Sequence, residues 1–208
     1  MRMRHDGVTV TGVGRVPVTP DVLVANLGAE VTAPSVQSAL DRCSAALVSI
    51  NDVLKRAGVS DRDRQTAGAR VFQAFGPNGT PQGWTASQQL TARLRDLGTA
   101  GDIVGAAIGA AGDAARLHDL SFAVDNPAEA QTRARDLAFE DAKTKARRYA
   151  ELAERRLGVV EAVSEGGQSG SPGPGHAMRA MAFGGGPSVE AGELEISAAV
   201  EVRWGLLS

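Results

Sequence analysis

The sequence predicts an α+β protein whose antiparallel or mixed sheet carries its helices on one face. Three observations carry that reading. Several segments alternate apolar and polar residues with period two, as strands wetted on one side do. Between them run segments with apolar residues at steps of three and four, the signature of helices facing a core. The 208 residues are 43% hydrophobic, enough to bury a sizeable core, and the length favours one domain.

The elements follow in order. Val8-Thr9-Val10-Thr11 alternates valine and threonine, and Gly12 and Gly14 then mark a bulge or tight bend before the Pro17–Pro20 break. From Asp21 to Thr32, residues Leu23, Ala25, Leu27, Ala29 and Val31 share one face of a second strand. Pro34 opens a helix with the stripe Val36, Leu40, Cys43, Leu47, Ile50 and Leu54, and Gly58 stops it. The run from Asp61 to Arg64 reads as a solvated polar turn. A hairpin follows, with Ala67, Ala69, Val71 and Phe75 on one strand and Trp84, Ala86, Leu90, Ala92 and Leu94 on the other, joined by turn residues from Gly76 to Gly83. A helix over about 99–111 turns Ile103, Val104, Ala107 and Ile108 inward, and Leu120–Val124 is a strand.

Asn126, Pro127 and Glu129 give a helix start of the capping-box kind. The helix they open is expected to reach Leu157, with Ala134, Ala138, Ala142, Ala146 and Ala153, Tyr149 and Leu157 inward. A strand from Val159 to Ser164, a Gly/Pro-rich stretch over 166–190, and a last strand from Leu194 to Trp204 complete the order ββαββαβαββ.

Composition excludes several functions. A net charge of −2 offers no phosphate-neutralising surface, so nucleic acid is not an expected partner. One cysteine, Cys43, rules out an intramolecular disulfide and reads as a buried inert thiol. His5, His118 and His176 are too scattered for a metal site, and no cofactor is expected. No apolar run approaches the roughly 18 residues of a membrane helix. Residues 1–7 read as a disordered N-terminus without the hydrophobic stretch of a signal peptide, so the expected location is cytoplasmic, or periplasmic or cell-envelope if an export signal was removed.

Chemistry-bearing motifs are sparse. Gly12-Val13-Gly14 starts like a nucleotide fingerprint but leads into a proline break instead of a helix N-terminus. Glu140 and Asp141 sit among Lys143 and Lys145 as a solvated ion-pair face, and His118 reads as a partly exposed structural histidine. The expectation is therefore a chain that is not an enzyme. Met178, Met181 and Phe183, between two glycine-rich stretches, are the candidate contact with a partner chain or apolar ligand.

Five stretches together resemble the SIMPL-domain family, which includes bacterial periplasmic immunogenic proteins. They are Val10 to Val16 leading to Pro20-Asp21; Gly58-Val59 with Asp63 to Thr66; Gly83 to Ser87 running to Asp96-Leu97; Ala138 to Ala146; and Gly192-Glu193-Leu194 through Val200 to Trp204. The likeness covers about residues 8–204. It implies an α+β fold, a tendency to form large homo-oligomers, and loose links to the envelope and to stress, and it transfers no catalytic residue. Two functions follow: a non-enzymatic oligomeric assembly or interaction protein, or a small-molecule or lipid binder whose apolar cleft, between the alanine-rich helix and the sheet, is closed by the 176–183 loop.

Overall fold

A computed structural model describes residues 6–166 and 192–208. The chain order is β1 (Gly7–Val18), β2 (Val22–Ala33), α1 (Val36–Arg56), β3 (Arg64–Phe75), β4 (Pro81–Leu94), α2 (Leu97–Ala111), β5 (Ala115–Ala123), α3 (Ala128–Leu152), β6 (Arg156–Glu165) and β7 (Leu194–Leu207), with short 3-10 turns at Asp61–Asp63 and Gly112–Ala114. That is the α+β order ββαββαβαββ read from the sequence. The strands are shared between two antiparallel sheets, β1-β7-β6 and β3-β4-β2-β5, and the chain divides into two compact units accordingly.

The first unit joins β1, α3, β6 and β7. The long alternating strand β7 is central, paired with β1 on one side and β6 on the other. It turns Ile196, Ala198, Val200, Val202 and Trp204 into the core with Val10 and Val16 of β1. On this face lies α3, through Ala134, Ala138, Ala142, Ala146 and Ala150. Ala150 takes the place expected of Ala153, and Tyr149 is 57% exposed instead of inward. The helix also stops sooner than expected. Glu154 adopts φ 55°, and Arg155 N–H donates to the Ala150 carbonyl at 2.9 Å while Glu154 N–H donates to that of Glu151. This is a Schellman ending built without glycine, and Leu157 and Gly158 belong to the following strand.

Gly12 and Gly14 form neither bulge nor bend. They sit within a continuous strand, opposite Val200 and Ala198. A Cβ on Gly12 would lie 2.0 Å from the Ala138 carbonyl oxygen, and one on Gly14 would lie 2.0 Å from that of Ala134. The glycines and the alanine stripe are two halves of one contact, in which helix backbone meets strand backbone.

The second unit holds β2 to β5 with α1 and α2. Leu23, Ala25 and Leu27 of β2 and Leu90, Ala92 and Leu94 of β4 face Ile50 and Leu54 of α1 and Ala100, Val104 and Ala107 of α2. Ser35 caps α1 by accepting from Ser38 N–H, and Gly58, at φ 82°, ends it with Val59 N–H on the Leu54 carbonyl. Asp96 caps α2 by accepting from Gly98 N–H and the Thr99 hydroxyl. The opposite face is polar. Thr32 and Thr85 share a 2.7 Å hydroxyl contact, and Thr91 donates to Asn26 at 2.8 Å. The single apolar face expected of β3 is absent, because bulges at Thr66/Gly68 and Ala74/Phe75 break its alternation. Val71, Phe72 and Phe75 are all exposed.

Candidate functional site

The Asp61–Arg64 segment, expected to be a solvated turn, is a heavily bonded polar cluster of the second unit. Asp63 is buried. Its carboxylate accepts from Arg95 Nε at 3.1 Å and Nη2 at 3.0 Å, a bidentate pair, and from the Ser60 hydroxyl at 2.7 Å. These donors stabilise the anion, the Arg95 bonds most, and hold the Asp63 pKa at about 2 against burial that would raise it. The Arg64 side chain is buried beside it. It donates to the Val59 carbonyl at 3.1 Å, to Asn51 Oδ1 at 2.5 Å and to the Asp61 carboxylate. The arrangement ties the end of α1, the 3-10 turn and the end of β4 together. An aspartate held ionised at neutral pH by three donated hydrogen bonds is suited to latching, not to proton transfer.

Next to this latch runs an open groove of about 420 Å³. One wall is α1, through Leu47, Val48 and Asn51; the floor is Thr66, Gln88 and Leu90. The groove lies where α1 packs over β2 and β4, with Arg64 and Thr66 of β3 in its lining. Its lining mixes apolar and polar groups, and the three bonds made by Arg64 already use that cation. The cleft expected beneath the alanine-rich helix has no such room at Gly12 and Gly14, where backbone meets backbone.

The other candidates fall into structural positions. Cys43 is buried on α1 and its thiol donates to the Ala29 carbonyl at 3.2 Å; burial pushes its pKa up, away from thiolate chemistry. His118 is exposed at a bulge of β5, where its ring lies over Gly28. Glu140 pairs with Lys143 at 3.5 Å on the surface of α3. Asp141 forms the expected half-exposed ion pair with Lys145 at 2.7 Å and has a further role: it accepts the Val13 N–H at 2.8 Å, and Lys145 also donates to the Thr11 carbonyl at 3.0 Å. Lys145, then the Val13 N–H, lowers the Asp141 pKa. The pair thereby satisfies an outward N–H and C=O of the edge strand β1. Sequence spacing shows the i,i+4 pair but not the strand edge it meets. Met178, Met181 and Phe183 lie outside the described residues. Among the described residues no group of three or more His, Cys, Asp or Glu could hold a metal, and no helix is long and apolar enough to cross a membrane.

Latch, edge clamp and glycine–alanine seam together define a class: an α+β protein of two helix-covered antiparallel sheets whose polar clusters hold the fold in place. The chain belongs to the SIMPL family, described as a protein of unknown function (DUF541), whose profile matches residues 8–204. It is 30% identical over 166 residues to the 26 kDa periplasmic immunogenic protein of Brucella melitensis biotype 1, a match spanning 76% of this chain and 66% of that protein. The protein of the same name from Brucella abortus strain S19 matches at the same identity and coverage. The aligned chain thus spans just under two thirds of the length of these relatives.

Proposed function

We propose that this protein is a non-enzymatic assembly protein that works as a homo-oligomer. The observation that carries the reading is a set of exposed apolar side chains on two edge strands: Val71, Phe72 and Phe75 on β3, and Val159, Val160 and Val163 on β6. An edge strand with apolar side chains and an unbroken register is a template for pairing with another chain, and exposed valines on a broken edge add apolar surface that a second copy can cover. The carboxylates that sequence alone offers for acid–base work, Glu140 and Asp141, pair with Lys143 and Lys145, and Asp141 also accepts a backbone N–H, while the buried Asp63 is held by Arg95. The periplasmic name of the Brucella relatives supports a place in the cell envelope, and the family likeness adds an expected role under envelope or oxidative stress.

Light scattering on the purified chain tests the assembly reading, with a mass several times the 21.5 kDa of one chain expected. A mass of one chain at all concentrations would reject it. Fractionation of cells making the full-length protein tests the envelope location.

The groove beside α1 favours a second reading, a small-molecule binder. A ligand screen by thermal shift, repeated with Val48→Arg to fill the groove, separates the two. Loss of a ligand-induced shift in the variant supports binding there.

A further inference from the structure

The free sheet edges of the two units are not equivalent. On β1, Asp141 and Lys145 occupy the outward N–H of Val13 and carbonyl of Thr11. The edge strand β6 is broken by register shifts on either side of Val160. The edge strand β5 carries a bulge at His118 between Arg116 and Asp119. Bulges and charges of this kind are how edges are kept from pairing. β3 is bulged at both ends, but its middle departs from the pattern. Its residues Gly68 to Ala74 keep an unbroken register against β4, from Gln89 to Gly83. Arg70 is the only charged residue in that run, and among the described residues no hydrogen bond or ion pair engages its side chain.

The run has a centre. Bulges bracket it on both sides, and its midpoint is Val71. Two copies related by a two-fold axis through this point, perpendicular to the sheet, would pair antiparallel with Val71 opposite Val71, Arg70 opposite Phe72, Ala69 opposite Gln73 and Gly68 opposite Ala74. Arg70 and Phe72 share a face, because alternate residues of a strand do. In this register each guanidinium lies against a phenyl ring of the other copy, a favourable cation–π pairing, made twice. Shifting the axis to Arg70 would set like charges opposite one another, which destabilises a cross-strand pair. Phe72 is 50% exposed and Val71 38% exposed, so both are available for that contact.

We propose that β3 is a self-pairing edge, joining the four-stranded sheets of two copies into one eight-stranded sheet about Val71. This rests on the assembly reading and specifies its contact. A seven-residue strand pair buries less than the roughly 1,200–2,000 Å² of a stable interface, so the isolated contact should be reversible with concentration.

Sedimentation of the full chain across a dilution series, with Phe72→Lys and Phe72→Glu alongside, tests the contact. Phe72→Lys sets a second cation opposite Arg70 and should raise the dissociation constant by about tenfold or more. Phe72→Glu offers Arg70 a carboxylate and should retain pairing. Both substitutions replace a half-exposed side chain, and unchanged thermal melts at low concentration verify folding. Mild oxidation of Val71→Cys should trap a covalent dimer, since the symmetric position brings the two thiols together while Cys43 stays buried. If the wild-type chain associates but Lys and Glu behave alike, or Val71→Cys does not cross-link, the β3 contact is wrong and the assembly reading stands. If the wild-type chain is monomeric throughout, both fall.

Discussion

Replacing Gly12 with alanine adds one methyl group at the tightest place in the first unit. That carbon would stand 2.0 Å from the Ala138 carbonyl oxygen and 2.5 Å from the Ala142 nitrogen, where ordinary contact begins at 3.4 Å. Both obstacles are backbone, so no side chain can swing aside. The difference between 3.4 and 2.0 Å, about 1.4 Å, must come from parting α3 and β1. A radial gap of only 0.5–1 Å already forfeits roughly a quarter to a half of a contact's dispersion energy. The loss would spread along the seam formed by the five buried alanines. The expected cost is about 3 kcal/mol, the upper end of overpacking effects, against a total stability of roughly 5–15 kcal/mol. Urea unfolding followed by far-UV circular dichroism measures it. Gly105→Ala is the control, because no atom lies within 4 Å of its added carbon in the middle of α2; it should stabilise by about 0.5–1 kcal/mol. A Gly12→Ala protein within about 0.5 kcal/mol of wild type, the usual range of surface changes, would refute the close-approach argument.

Three further outcomes are expected. Asp63 has a folded pKa of about 2 against an ordinary 3.8, so its contribution is complete above the unfolded pKa and is lost as pH falls towards 2. At 1.36 kcal/mol per unit this is about 2 kcal/mol, and Asp63→Asn should flatten the acid limb of a pH–stability curve; an unaltered limb would count against the latch. Cys43→Ala should cost about 1 kcal/mol through a small cavity, and native Cys43 should react with a thiol reagent only at the rate of unfolding, so prompt labelling would contradict its burial. Truncation after Gly192 removes β7, the central strand of its sheet, and should abolish cooperative unfolding of the first unit; a calorimetric trace unchanged from wild type would show the strand to be dispensable.

Local chemistry was legible where the signal is local. The alternation of β2 and β7, the alanine steps of α3 and the Asn78-Gly79 turn, with Gly79 at φ 72°, each announce themselves within a few residues. What escaped depends on partners distant along the chain. Gly12 looks like a bend until Ala138 is placed on it, and Asp63 looks solvated until Arg95 reaches it. Asp141 reads as half of an i,i+4 ion pair, although its second partner is the Val13 backbone of another element. The end of α3 was misplaced because Glu154 takes the left-handed conformation usually left to glycine, while Gly158 lies beyond in β6. Alternation on β3 misled because two bulges interrupt it. Nor does pattern alone tell which strands pair, and so it could not divide seven strands between two sheets.

The pairing of β1 with β7 bears on how the chain is made. Residues 20–123 supply every described strand and helix of the second unit in one continuous stretch, so the ribosome delivers these elements early. The first unit has to wait. From Val18, the last residue of β1, the ribosome must add 176 residues to reach Leu194, the first of β7, which at 5–20 residues per second takes roughly 9–35 s. Throughout that interval Val10 and Val16 have no Val202 or Ile196 to meet, and the strand that will occupy the middle of the sheet does not yet exist. Nascent-chain proteolysis should therefore find the second unit protected while β1 is still open to cleavage. The first unit closes only after release of its final strand from the exit tunnel.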